Sequence, residues 1–290
     1  MAKICVVGAG RMGSALARAL LKQGYVTSVW NRTPAKGEAL AALGARVAMP
    51  LDDAIATSDI VIVSLIDYAA ADARLRTAPT TGALEGKLLV QLTSGSPRQA
   101  REAGAWAAEH GIGYLDGAIM ATPNVIGEPS ATILYSGARE AFDANKAVFL
   151  ALGGNAVHVG TDLGHASALD ISLLSQLWGS LFGTLQAIAV SQAEGIDLDD
   201  YAQYLQQVRP IVDGAVDDLL IRTRDGRYRG DDETLAAIAA HYSAFQHLRE
   251  VSTDRGLNAA LPEAFDSIFK AAIASGHLQD DFAALTRFMR

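Results

Sequence analysis

The apolar run Ile4-Cys5-Val6-Val7 passes without a break into Gly8-Ala9-Gly10-Arg11-Met12-Gly13, and this junction limits the fold more than any other stretch of the chain. Met12, Ala15, Leu16, Ala19 and Leu20 then recur at helical spacing, and Gly24 closes the segment. Strand, Gly-x-Gly-x-x-Gly turn and helix in that order predict the opening unit of a dinucleotide-binding fold. Gly8 permits the tight turn, Gly10 lets a pyrophosphate approach the backbone, and Gly13 allows helix and strand to pack closely, with Arg11 and Met12 completing the turn. The start of the helix offers unpaired N–H groups to the anion. Glycines reach this spacing by chance in glycine-rich chains, so the flanking strand and helix carry the weight of the reading.

A second strand, Val26 to Trp30, leads into Asn31-Arg32-Thr33-Pro34-Ala35-Lys36. NAD-binding versions of the fold place an acid at the end of this strand to hold the ribose 2′-hydroxyl. Here Asn31 stands in that place, followed by Arg32, Thr33 and Lys36. A carboxylate would repel a 2′-phosphate, whereas an amide, a hydroxyl and a guanidinium can bind it, so NADP is expected over NAD. The plainer reading of Arg32 is a solvated loop residue.

Further apolar strands are readable at 60–65, 88–92, 114–115, 132–135 and 157–159, with helical patterns between several of them. One of these helices opens with Ser96 as N-cap and Pro97 behind it. The pattern predicts a doubly wound α/β sheet of the Rossmann kind ending near Gly160. Ligands of such folds lie beyond the carboxyl ends of the strands. Ser64 to Tyr68, Leu65 among them, and Thr93-Ser94-Gly95 are therefore candidates to line the nicotinamide side.

Beyond Gly164 no strand pattern is found. No charged residue occurs from Ile171 to Ala193, and a continuous helix over 165–194 would be about 45 Å long. The run is long enough to span a bilayer, yet serines, threonines and glutamines dilute it, and its flanks are acidic with no basic anchor near either end. A helix buried on most sides fits better. Ser175, Gly179 and Gly183, four apart, predict close approach of a neighbouring helix. Pro210 is expected to interrupt the next helix. Asp231 or Asp232 is expected to cap a helix running to about Arg255, Pro262 to begin another, and Asp280-Asp281 to open the last. Five or so helices on one long member make a poor self-contained core, so a homodimer with each helical domain packed on its partner is expected. The division is 1–163 for the nucleotide domain, 164–194 for an interdomain helix, and 195–290 for a helical dimerisation and substrate domain.

Composition narrows the function. The formal charge of −8 disfavours nucleic acid and anionic membranes as partners. The six histidines are scattered singly, so no metal site is expected. The only cysteine, Cys5, sits in an apolar strand and reads as a small buried hydrophobe. The chain enters a strand at once, without a signal peptide, and a reducing cytoplasm is the expected location.

Several stretches together resemble the bacterial NADP-dependent imine reductases, relatives of the β-hydroxyacid dehydrogenases. They are "VVGAGRMGSALA", "VWNRTPAK", "LTSGSP", "LDGAIMATPNVIGEPSATILYSG" and "HASALDISLL", spread over essentially the whole length. The resemblance implies a Rossmann domain, a long interdomain helix, and helical domains exchanged reciprocally in a dimer, with the active site between one subunit's nucleotide domain and the other's helices. It implies NADPH as cofactor and imines, or ketones with small amines, as substrates.

Two departures separate the relatives. The hydroxyacid dehydrogenases carry a lysine where this chain resembles them at Asp170, and a carboxylate-binding serine where it has Met120. Both changes remove anion-binding features, and one adds a negative charge that suits a cationic iminium. Asp170 then either donates a proton as a neutral acid, given a raised pKa, or stabilises a protonated iminium as an anion. Apart from the resemblance, Asp170 reads as an acid favoured by a helix start. Trp178 reads either as a pocket wall with a cation–π role or as core. His241 resembles the family's substrate-facing position and otherwise reads as a packing or surface residue. Ser94 is a candidate for cofactor or substrate contact. The alternative functions are a β-hydroxyacid dehydrogenase on the same scaffold, which would bind acids, and a non-enzymatic NADP-binding protein, which would turn over no imine.

Overall fold

The computed structural model describes residues 1–290 and divides into two compact units, Met1–Gln176 and Leu177–Arg290. The first unit opens with β1 (Lys3–Val7), α1 (Arg11–Lys22), β2 (Val26–Trp30), α2 (Ala35–Ala41), β3 (Arg46–Val47), α3 (Leu51–Ala56) and β4 (Ile60–Val63). It continues with α4 (Tyr68–Leu75), α5 (Ala78–Leu84), β5 (Leu88–Gln91), α6 (Pro97–Glu109), β6 (Gly113–Met120) and β7 (Thr132–Gly137). Then come α7 (Arg139–Ala144), α8 (Lys146–Leu152), β8 (Asn155–Gly160) and the start of α9 (His165–Ala193).

The eight strands form one sheet in the order β3-β2-β1-β4-β5-β6-β7-β8. All neighbours are parallel except β6 and β7. Helices cover both faces, which is why the central strands are apolar throughout rather than alternating. Successive side chains point to opposite faces: Ile4 and Val6 join the core that holds Leu16 and Leu20 of α1. Cys5 and Val7 join the core that holds Leu51, Ala71 and Ala103. Cys5 is fully buried and its thiol is pushed up to about 12 by desolvation, so it is inert filler, as its apolar run predicts. The short β3 and the full lengths of β6 and β8 exceed the sequence reading.

The switch between β1→β2→β3 on one side and β4 onward on the other opens a crevice at the carboxyl ends of β1 and β4, where such sheets bind ligands. Ser96 caps α6 as predicted: its Oγ accepts from the Gln99 N–H at 3.3 Å, and Gln99 Oε1 accepts from the Ser96 N–H at 2.9 Å.

The second unit holds the rest of α9, then α10 (Leu198–Asp225), α11 (Ile238–Asp254), α12 (Ala260–Ala274) and a 3-10 turn, Phe282–Phe288. Its small apolar core is built on Ile238, Phe269, Ala272, Ala284 and Leu285. Asp281 opens the last turn by accepting from the Ala283 N–H at 2.8 Å, and Gly256 stops α11 with φ +63°. Three expectations are corrected. Pro210 does not interrupt α10, which continues to Asp225; the loss of one internal hydrogen bond does not end a helix with long segments on both sides. Neither Asp231 nor Asp232 caps α11. Asp231 is bound to Arg222, and the first N–H groups of α11 donate instead to the carbonyls of Asp280 (2.9 Å) and Leu278 (2.9 Å). Finally, α9 is not buried on most sides within one chain. From Leu169 to Leu185 its large apolar side chains, Leu174 excepted, are 39–59% exposed, and nothing lies within 4 Å of where a Cβ would stand at Gly179 or Gly183. By length and composition α9 is also apolar enough to cross a membrane.

Candidate active site

The β1–α1 turn forms a cradle for a phosphate. Gly8 has φ +111°, and a Cβ there would overlap the carbonyl of Ser64; at Gly13 it would overlap the carbonyl of Gly8. At Gly10 nothing stands within 4 Å, so the open face lies where a pyrophosphate must approach. No side chain caps α1, whose first N–H groups are left for an anion. A cavity of about 600 Å³ spreads from this turn. Of the residues anticipated from sequence, Gly8, Gly10, Arg11, Met12, Gly13, Asn31, Arg32, Thr33, Lys36 and Leu65 line it.

Arg32 and Lys36 are exposed on the cavity rim and free of ion pairs, so their charges are available to a second phosphate. Asn31 is spent differently. Its Oδ1 accepts from the Ala9 N–H at 3.0 Å and its Nδ2 donates to the Thr33 carbonyl at 2.8 Å, tying the glycine turn to the loop after β2. Thr93 likewise supports the site rather than lining it: buried, it accepts from the Leu65 N–H at 3.1 Å. Ser94 beside it is exposed. Trp30 and Arg74 also line the cavity, the guanidinium 5.9 Å from the ring centroid, and went unremarked in the sequence. Trp30 was readable as the end of β2; Arg74 carries no motif.

A second polar cluster lies farther along the sheet. Asp116 on β6 is fully buried and accepts hydrogen bonds from Tyr68 Oη and, at 2.7 Å, Ser167 Oγ. Tyr68 reaches it because Gly95 leaves room; a Cβ there would overlap the tyrosine ring. Burial chiefly pushes the Asp116 carboxyl up to about 7, against the pull of the Tyr68, Ser167 and Tyr114 hydroxyls, and the charge of Asp170 adds a little in the same direction as burial. Asp170 is 8% exposed, and desolvation raises its pKa. It stands beyond the first turn of α9, where a helix-end effect fades, so the helix-start reading loses force.

A raised native pKa has a consequence for stability. The unfolded chain releases the Asp116 proton near the usual ~3.9, the folded chain near 7. Asp116 therefore favours folding below about pH 4, and that contribution is lost as pH rises through 7. Relative to wild type, Asp116→Asn is expected to gain about 4 kcal/mol between pH 4 and pH 8. Urea unfolding at the two pH values measures it, and a pH-independent difference would refute the titration.

Met120 ends β6, half-buried against Ala118, Leu134 and Ala166. Trp178 and His241 belong to the second unit. Trp178 is 54% exposed, and the His241 ring lies 4.6 Å from that of Phe282, tilted by 51°. No group of three or more histidine, cysteine or acidic side chains is placed to hold a metal.

Comparison with known proteins finds relatives for both parts of the chain. Residues 3–160 match the NAD binding domain of 6-phosphogluconate dehydrogenase, and residues 162–290 match the NADPH-dependent reductive aminase-like C-terminal domain. An NADPH-dependent reductive aminase of Aspergillus oryzae is 32% identical over 99% of this chain and 97% of its own. An imine reductase from Myxococcus stipitatus, solved in complex with NADP+, is 51% identical over 99% of this chain and 100% of its own, with a TM-score of 0.95. A reductive aminase from Aspergillus terreus, solved with NADPH and ethyl levulinate, is 33% identical over the full length of both, with a TM-score of 0.89. The two family matches together span nearly the whole chain, and the relatives are similar over its full length; the chain belongs to the imine reductase and reductive aminase family.

Proposed function

We propose that this protein reduces imines and iminium ions to amines with NADPH, and that it also takes ketones with small amines. The observation that carries the reading is Asp170: a buried carboxylate without a cationic partner, in the same unit as a nucleotide cradle edged by free Arg32 and Lys36. Relatives solved with NADP+ or NADPH, one of them with a keto ester, support it.

The cradle fits NADPH: Gly8, Gly10, Gly13 and the start of α1 would hold the pyrophosphate, and Arg32, Thr33 and Lys36 the 2′-phosphate. NADPH supplies the hydride that reaches the imine carbon. Asp170 serves the nitrogen, as a neutral acid giving up its proton or as an anion facing a protonated iminium. Desolvation, which raises its pKa, supports the first role. A carboxylic acid substrate would meet two acids here and no cation, which disfavours the hydroxyacid reading.

The substrate pocket is assigned to Asp170, Met120, Ser94, Trp178 and His241, completed in a homodimer with exchanged helical domains. The exposed apolar flank of α9 and the open Gly179 and Gly183 support a second copy as its cover. In this arrangement 1–163 is the nucleotide domain, 164–194 the interdomain helix and 195–290 the helical domain.

The test is NADPH consumption by the purified protein with 2-methyl-1-pyrroline, beside NADH, and NADP+ reduction with a panel of 3-hydroxy acids. Imine-dependent turnover is expected, and activity on hydroxy acids alone would sink the reading. Arg32→Ala is expected to raise the KM for NADPH about 10–100-fold, the loss of one charge-assisted hydrogen bond, with the KM for NADH unchanged. Equal effects on both cofactors would remove Arg32 from the 2′-phosphate.

A further inference from the structure

Asp116 is an expensive residue for a structural role. An asparagine could keep much of the hydrogen bonding without the cost of a charge in a dry place. No cation stands against it: its hydrogen-bond partners are Tyr68 of α4 and Ser167 of α9. The flanking strands bring Gln91 of β5 and Ser136 of β7 into register with it, and neither titrates. Tyr114 of β6 adds a third buried hydroxyl, which favours the charged form of Asp116 and is itself acted on by Asp72 of α4. The remaining ionisable group is Asp170. It follows Ser167 by one turn of α9, and residues three apart on a helix share a face with Cβ atoms about 5–6 Å apart. Ser167 thus touches Asp116 while its neighbour on that face is Asp170, whose charge adds a small push in the same direction as burial to the Asp116 carboxyl.

Two buried carboxylates on neighbouring elements with only neutral hydroxyls about them resist carrying two charges. We propose that Asp116 and Asp170 hold one proton in common, so that Asp116 is a positioning residue which, acting through Asp170, keeps that proton available to the imine nitrogen. The step balances. The O–H bond of Asp170 breaks as the N–H bond forms, the pair is left with two negative charges beside a cationic iminium, and hydride then reaches the carbon. Solvent returns the proton. The inference rests on the role given to Asp170 above.

The experiment uses the full-length enzyme with NADPH and two substrates: 2-methyl-1-pyrroline, which needs a proton, and 1,2-dimethyl-1-pyrrolinium, whose charge is permanent. In Asp116→Asn only Asp170 is left to hold the proton. The alkaline limb of kcat/KM for the neutral imine is expected to move to lower pH by about one unit, with that for the permanent cation unmoved. Tyr68→Phe removes a donor that favours the charged form of Asp116, so the same limb is expected to move to higher pH. Opposite shifts in the two variants are the signature of a shared proton. Limbs that superimpose on wild type, whatever the loss of kcat, or that move together for both substrates, would overturn the proposal. Should Asp116→Asn fail to fold, Tyr68→Phe decides: an upward shift supports the pair and an unmoved limb overturns it. Absence of any imine turnover in the wild type, or a limb unchanged in Asp170→Asn, marks instead the failure of the role of Asp170 itself.

Discussion

Asp170→Ala is expected to lower kcat/KM for 2-methyl-1-pyrroline by roughly 10²–10⁴-fold, the usual worth of a positioned acid or base, with the affinity for NADPH unchanged. Asp170 lies outside the glycine cradle, and no cation depends on it for a partner, so the substitution should spare cofactor binding and fold. The permanent iminium separates its two roles. A proton donor is dispensable when the nitrogen already carries a fixed charge, so the loss would be large for the imine and small for 1,2-dimethyl-1-pyrrolinium. A counter-ion is needed by both, and the two losses would match. A loss under about threefold, within the 0.3–1 kcal/mol of a helix-end charge, would return Asp170 to a structural role. Stopped-flow single turnovers at saturating NADPH make the measurement free of product release.

The second large effect is on stability and lies in the helical half. Arg222 of α10 is fully buried. Its Nη1 and Nη2 donate to the two oxygens of Asp231 at 3.1 and 2.9 Å, and its Nε stands 3.1 Å from Asp218 and 3.3 Å from Asp281. Asp281 also caps the last turn, so one guanidinium joins α10, the loop before α11 and the C-terminal segment. Arg222→Met keeps the length of the side chain and removes the charge. Asp218 and Asp231 can rehydrate, but Asp281, with a side chain 5% exposed, cannot. Breaking a buried pair at one partner costs about 3–5 kcal/mol, and a loss of that size is expected at pH 7 in urea unfolding followed by circular dichroism. The Arg222 hydrogen bonds hold the Asp231 carboxyl down at about 2. That stabilisation is present above the unfolded value of ~3.9 and is lost as pH falls through 2, so the gap between variant and wild type should narrow below pH 4. Arg222→Lys, which keeps the charge but not the fork, is expected to fall between them. A variant as stable as wild type would mean that the acids are solvated well enough without Arg222.

The nucleotide half was legible because each of its rules is local. The spacing of Gly8, Gly10 and Gly13, the apolar strand before them and the absence of an acid at Asn31 act within a few residues of chain. The capping box of Ser96 and Gln99 is equally local. Legibility fails where a partner comes from far along the sequence. Asn31 looks like a ligand for a phosphate, yet spends its amide on Ala9 and Thr33. Thr93 looks like a cavity residue, yet holds the backbone of Leu65. Asp231 stands where a cap is expected, and Arg222 draws it away.

Sequence alone determined the parallel sheet and its glycine turn, since the hydrophobic period and the demand for residues without a Cβ are written in neighbouring positions. It also determined that an acid, rather than a lysine, heads the long helix. Only the tertiary structure decided that Asp116, unremarkable in "YLDGAIM", is fully buried with Tyr68 and Ser167 as hydrogen-bond partners. The proton affinity of a carboxyl depends on what surrounds it in space, and β6, α4 and α9 meet there from positions far apart in the chain.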